Sequence, residues 1–255
     1  IGTDNPAGNS NQVRGVISGG YISPTGTNRM EFVTIASTGN AQDFGDMTFP
    51  NHGTTCNLGD STRGIFAGGT GEPNFKNIID FVTIASTGNA NDFGDLYTGT
   101  RETDGCESPT RGVVYGGTPS SINVIQYITI STQGDSADFG DTTSNSQRGS
   151  AGSNAVRGLL TLGTTPTTVN TVDFITIATL GNSKDFGDLT EVRGNATGSS
   201  SSTRMVNVGG ATPSLVDTID FAQIMTTGNF VNFGELVGTD RSQLGGLSNG
   251  HGGLG

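Results

Sequence analysis

The residues of this chain that could do chemistry recur at fixed spacing. Paired acids stand in four similar words, as Asp43 and Asp46, Asp92 and Asp95, Asp138 and Asp141, and Asp185 and Asp188; in a fifth word they become Asn232 and Glu235. The second acid keeps its charge in every copy, and the first does not. Upstream of each pair an arginine opens another repeated word: RGVISGG from Arg14, RGIFAGG from Arg63, RGVVYGG from Arg111, RGLLTLG from Arg157 and RMVNVGG from Arg204. Carboxylates with nearby carbonyls suit calcium. A short acid in a turn also accepts backbone N–H bonds, and the planar guanidinium pairs bidentately with carboxylate. Because both partners recur together, the expectation is a ring of five Arg–carboxylate pairs involving Asp46, Asp95, Asp141, Asp188 and Glu235. Whether each pair lies within one unit or links two units stays open.

Little else suggests a reaction. His52 stands where later copies carry Arg101, Arg148, Arg193 and Arg241, and reads as a polar strand or turn residue. His251 sits in a glycine-rich tail, HGGLG. No Ser/His/Asp or Cys/His set assembles. A sialidase-type Asp box needs tryptophan, and the chain has none. A copper oxidase would need a Tyr and His cluster. GGTGEP at Gly68 has no Lys-Ser/Thr after it and is not a phosphate loop. Cys56 and Cys106 occupy matching places in consecutive copies and read as small buried hydrophobes; a disulfide between neighbouring units is the alternative. Two thiols without histidines do not make a zinc site. No cofactor is expected, calcium being the one ion the acids would suit.

Composition narrows the class. The formal net charge is −11, and Lys76 and Lys184 are the only lysines. That argues against nucleic acid, which demands a basic stripe, and against anionic membrane surfaces. No apolar run approaches the roughly 20 residues of a membrane-spanning helix. The opening IGTDNPAGNS lacks the basic and apolar regions of a signal peptide, and the missing initiator Met suggests processing or a piece of a longer protein. Charged residues are 14% of 255, too few for an acidic disordered chain, and 42 glycines point to short strands joined by tight turns.

The elements that must position these residues are repeated too. FVTIASTGNAQDFGD runs from Phe32 and FVTIASTGNANDFGD from Phe81. The phenylalanines Phe44, Phe93, Phe139, Phe186 and Phe233 follow at intervals of 49, 46, 47 and 47 residues. A period near 47 falls in the range of propeller blades. Each unit reads as four strands: a weak strand a before the arginine, strand b at the Arg-Gly word, strand c at NIIDFVTIA, and strand d at DFGDL. Strand c is apolar on both faces (Ile79 and Phe81, Val82 and Ile84), as in a sheet packed between two others. The β-branched runs and glycines exclude a helical solenoid, and a parallel β-helix usually has shorter coils. The expected fold is all-β, one five-bladed propeller domain over 1–255. Its units cover approximately 13–59, 60–107, 108–153, 154–200 and 201–240. Residues 241–255 are expected to close the ring by adding a strand beside residues 13–20; a longer chain with further blades is the alternative. The five phenylalanines are expected between blades.

The glycine pairs Gly19-Gly20, Gly68-Gly69, Gly116-Gly117 and Gly209-Gly210 resemble the kelch diglycine, although the fourth unit keeps only Gly163 and phenylalanine replaces the kelch tryptophan. IDFVTIASTGNANDFGDL, with RGIFAGG before it, is similar to tandem repeats of virion structural and tail-fibre-like proteins of marine tailed phages, and the likeness covers all five units. It implies a place on a virus particle, extracellular, in a tail, fibre or nozzle. The partners it implies are other virion proteins in a symmetric assembly, and a host-surface glycan or protein. It carries over no catalytic residues. The alternatives are a carbohydrate-binding propeller lectin, which would show recurring exposed aromatics, and an enzyme, which would need one unit to break the pattern.

Overall fold

A computed structural model describes residues 5–22, 25–51, 56–71, 74–238, 241, 242 and 244–246. It is all-β, with five antiparallel four-stranded sheets arranged as a five-bladed β-propeller. Blade 1 is Ala7–Ser10, Arg14–Ser18, Thr25–Thr34 and Gln42–Asn51 (strands a to d). Blade 2 is Cys56–Gly59, Arg63–Ala67, Ile78–Thr83 and Asn91–Asp95. Blade 3 is Asp104–Glu107, Arg111–Tyr115, Ile122–Thr129 and Ala137–Ser146. Blade 4 is Ser150–Ser153, Arg157–Thr161, Thr171–Thr176 and Lys184–Asp188. Blade 5 is Thr197–Ser200, Arg204–Val208, Thr218–Gln223 and Val231–Glu235. The architecture is compatible with kelch-like repeats. The blades are offset from the sequence units, because strand a pairs with the strand b that follows it: Cys56–Gly59 closes the unit 13–59 yet belongs to blade 2.

Strands c and d meet through the same irregularity in every blade. In blade 2, Ile79 lies opposite Gly94 and Asp80 opposite Asp92, so Phe93 is an extra residue in the ladder. Phe44, Phe139, Phe186 and Phe233 are skipped in the same way. Such a bulge bends the strand and re-aims the side chain. The glycine that follows makes it possible: Gly94 has φ +146°, and a Cβ there would collide with the carbonyl of Gly134 in the next blade.

Among the described residues the core consists of four clusters, one at each junction between successive blades. At the junction of blades 2 and 3, for example, Ile65, Ile79, Phe93 and Leu96 pack on Val114, Ile128 and Ile130. The other three clusters join blades 1 and 2, 3 and 4, and 4 and 5. Burial on both faces of strand c follows from this placement. Phe44, Phe93, Phe139 and Phe186 are buried between blades as expected, at 1–3% exposure. Phe233 departs from the expectation: it is 58% exposed, because among the described residues none packs a further sheet on that face of blade 5. Most of the segment 241–255, expected to close the ring beside residues 13–20, lies outside the described residues; of its described part, Gly246 approaches Thr197 and Gly198 of blade 5. Residues 247–255, with His251, and His52 lie outside the described residues.

Candidate functional site

The five strand b arginines do not meet the acids. Each guanidinium lies over the strand c aromatic of its own blade: Arg14 over Phe32 at 4.6 Å, Arg63 over Phe81 at 5.1 Å, Arg111 over Tyr127 at 4.4 Å, Arg157 over Phe174 at 4.3 Å and Arg204 over Phe221 at 4.9 Å. That aromatic meets the bulged phenylalanine edge-on, with centroids 5.8–6.3 Å apart across the five blades. Four of the arginines then reach the next blade. Arg14, Arg63, Arg111 and Arg157 donate through Nη1 to the carbonyls of Ile84, Ile130, Ile177 and Ile224, at 3.2, 2.7, 2.7 and 3.2 Å. The expected Arg–carboxylate ring is thus replaced by an arginine–aromatic stack that clamps a neighbouring strand end.

Register gives the reason. Arg63 sits opposite Thr83 at one end of strand c, and Asp95 sits opposite Ile78 at the other. Five residues of strand are about 16 Å, beyond the reach of an ion pair. Phe81 is two residues from Thr83, the diagonal position on the same face.

The acidic words act through their backbone. The N–H groups of Asp46, Asp95, Asp141 and Asp188 donate to the side chains of Asn89, Asp135, Asn182 and Asn229 of the next blade, at 3.0–3.1 Å. Their carbonyls accept from Ala90, Ser136, Ser183 and Phe230, and the carbonyls of Phe44, Phe93, Phe139 and Phe186 accept from Gly88, Gly134, Gly181 and Gly228. Asp46 and Asp95 are exposed, Asp141 and Asp188 half-buried, and Glu235 exposed. Among the described residues no group of three His, Cys, Asp or Glu is placed to hold a metal ion.

The acids that do act through their carboxylates were missed in the sequence. Asp80, Asp173 and Asp220, the middle letter of IDF and VDF, are fully buried on strand c. Asp80 accepts from the N–H (3.0 Å) and hydroxyl (2.7 Å) of Thr48 in the preceding blade. Thr143 binds Asp173, and Thr190 binds Asp220, in the same way. In blade 3 the position is Gln126, which accepts from the N–H of Tyr97. Burial pushes the Asp80 carboxyl up, while the Thr48 bonds act against that shift. Asp220 also pairs with the buried Arg193 at 2.8 Å. Burial lowers the Arg193 pKa against the opposing pull of Asp220 and Glu191. The recurrence of one acid inside an apolar run was the available signal.

The inner strands surround a cavity of about 750 Å³ whose wall includes Asn9, Asn57, Asp104, Glu107, Ser153 and Ser200. Here blade 3 differs from the others: Asp104 and Glu107 stand where blade 4 has Ser150 and Ser153. Burial pushes the Asp104 carboxyl up to about 7, against the pull of the Gly105 and Ala151 N–H groups. Burial and then the Asp104 charge push Glu107 up to about 8. At the rim, Glu102 takes two bonds from Arg148, at 2.8 and 3.1 Å. Cys56 and Cys106 are buried free thiols, as the hydrophobe reading held, and burial raises the pKa of each; they do not occupy matching places, since Cys56 lies opposite Ala67 and Cys106 opposite Val113, which makes Asp104 the equivalent of Cys56. No protein-family model matches the chain, and no curated protein matches it.

Proposed function

We propose that this chain is a non-enzymatic structural module of a phage virion, a propeller in a tail, fibre or nozzle that works through contacts with other subunits or the host surface. The observation that carries the reading is the use to which the repeated residues are put. Arginines, aromatics, glycines and buried acids all serve to join one blade to the next, so the repetition builds a stiff body. Loops on such a scaffold are free to vary in their contacts. The phage setting rests on the likeness of IDFVTIASTGNANDFGDL and RGIFAGG to marine phage repeats.

Mass spectrometry of purified particles tests the proposal. The expected result is this chain at stoichiometric level in virions. Its absence there, with abundance as a soluble cellular protein, would overturn the assignment. A carbohydrate-binding role is the second reading, drawing on the polar cavity wall. Tyr21 is the one aromatic among the residues lining that cavity, and the recurrent rings are occupied by arginines. Binding on a glycan array that is lost in Asp104→Asn would favour this second reading.

A further inference from the structure

The five inner strands read AGNS, CNLG, DGCE, SAGS and TGSS, and only that of blade 3 carries charged side chains. Register puts Glu107 opposite Gly112, where blade 2 has Gly59 opposite Gly64, blade 4 has Ser153 opposite Gly158 and blade 5 has Ser200 opposite Met205. The two serines at this position tie one inner strand to the one before it. The Ser153 hydroxyl donates to the Glu107 carbonyl at 2.7 Å, and the Ser200 hydroxyl to the Ser153 carbonyl at 2.9 Å. The Glu107 side chain ties nothing: among the described residues its carboxylate has no hydrogen bond and no ion pair. Its pKa is raised first by burial and then by the Asp104 charge, with no cation acting against them. Arg148, at the rim, is already held by Glu102.

Two more oxygens on this side of the cavity lack partners. The Asn57 Oδ1 and the Thr103 Oγ1 are buried without a hydrogen bond, and both residues line the cavity with Glu107. Buried polar groups are normally paired, and the other blades show that the inner strands do not need these side chains. Blade 4 has Ala151 in the place of Asn57 and Ser153 in that of Glu107, and blade 5 has Ala196 in that of Thr103. We propose that the side of the axial cavity formed by the inner strands of blades 2 and 3 binds the terminal sugar of a glycan, whose hydroxyls donate to Glu107, Asn57 and Thr103. This deepens the carbohydrate reading above and rests on it for the class of ligand. Three acceptors without donors call for a donor-rich ligand. Two of the three are neutral, which suits hydroxyls better than ammonium groups. The cavity, about 750 Å³, is of the size that takes a small ligand. It holds one such site per chain, because the acid is present on one inner strand only; a lectin built on the repeat itself would have five.

Saturation-transfer NMR on the full chain, with glucose, galactose, mannose and N-acetylglucosamine as probes, tests this, and titration calorimetry of any sugar that binds gives the stoichiometry. Glu107→Ser and Asn57→Ala place in blades 3 and 2 the residues that blade 4 carries, and circular dichroism checks that both variants keep the wild-type fold. Asp95→Ala, outside the cavity, is the control. The expected result is one sugar per chain, with binding at least about tenfold weaker in each cavity variant and unchanged in the control. Sugar binding that is equally strong in both cavity variants, or that saturates at several sites per chain, would overturn the proposal and leave the carbohydrate reading standing. Binding of none of the sugars would overturn both. Spermidine binding that is lost in Glu107→Ser, with no sugar bound, would assign the site to amines and overturn both as well.

Discussion

At the scale of single residues, the arginine of strand b and the acid after the bulge recur with equal regularity, yet only the arginine side chain has a structural role. Removing each gives opposite outcomes. Arg63→Ala loses the stack on Phe81 and the bond to the Ile130 carbonyl, and is expected to destabilise by about 1–3 kcal/mol in urea unfolding. Asp95→Ala is expected to change stability by no more than about 0.5 kcal/mol, since its backbone makes the contact with Asp135. Equal effects would mean that the acids act through their carboxylates. The cavity acids give a pH dependence. The folded-state pKa values of Asp104 and Glu107 are raised to about 7 and about 8 from 3.8 and 4.5. Between those limits the folded chain holds protons that the unfolded chain has released, so their contribution is fully present in acid and falls as pH rises through 7 and 8. The double variant Asp104→Asn, Glu107→Gln is therefore expected to lose less melting temperature between pH 5 and pH 9 than the wild type. An identical loss in both proteins would exclude these groups as its source.

At the scale of elements, the period, the strand order and the two-sided burial of strand c could be read from the sequence, because they depend on local pattern. The offset between unit and blade could also be read, since strand a was placed before its arginine. The partners of the recurring charges could not. Period tells which positions are equivalent, and register tells which positions face each other. The register of strands c and d depends on a bulge whose one sign in the sequence is the glycine of each DFGD word. That one skipped residue turns Phe93 between blades and leaves Asp95 at the far end of strand c from Arg63. The buried acids escaped notice because the partner that satisfies a carboxylate in an apolar run lies far off in sequence: for Asp80 it is Thr48 of another blade, 32 residues away. The bulge itself can be tested at its glycine. Gly94→Ala is expected to destabilise by about 3 kcal/mol or more, from backbone strain and from collision with the Gly134 carbonyl. Gly234→Ala, with φ +152° and nothing within 4 Å of its added Cβ, is expected to cost only the strain, about 1–3 kcal/mol. Equal losses would show that the contact across the junction contributes nothing.

At the scale of the whole molecule, the described residues form five equivalent blades joined by four equivalent junctions. Stability should therefore be spread along the series and be lowest at its two ends, since each blade is held mainly by its neighbours. Amide hydrogen exchange resolved to single residues tests this most directly. The N–H groups of Gly88, Gly134, Gly181 and Gly228 donate across the four junctions to the carbonyls of Phe44, Phe93, Phe139 and Phe186. Slow exchange is expected at these four glycines, and fast exchange at the equivalent Gly39, whose N–H has no such partner among the described residues. Equal protection at all five, or equally fast exchange at all five, would contradict it.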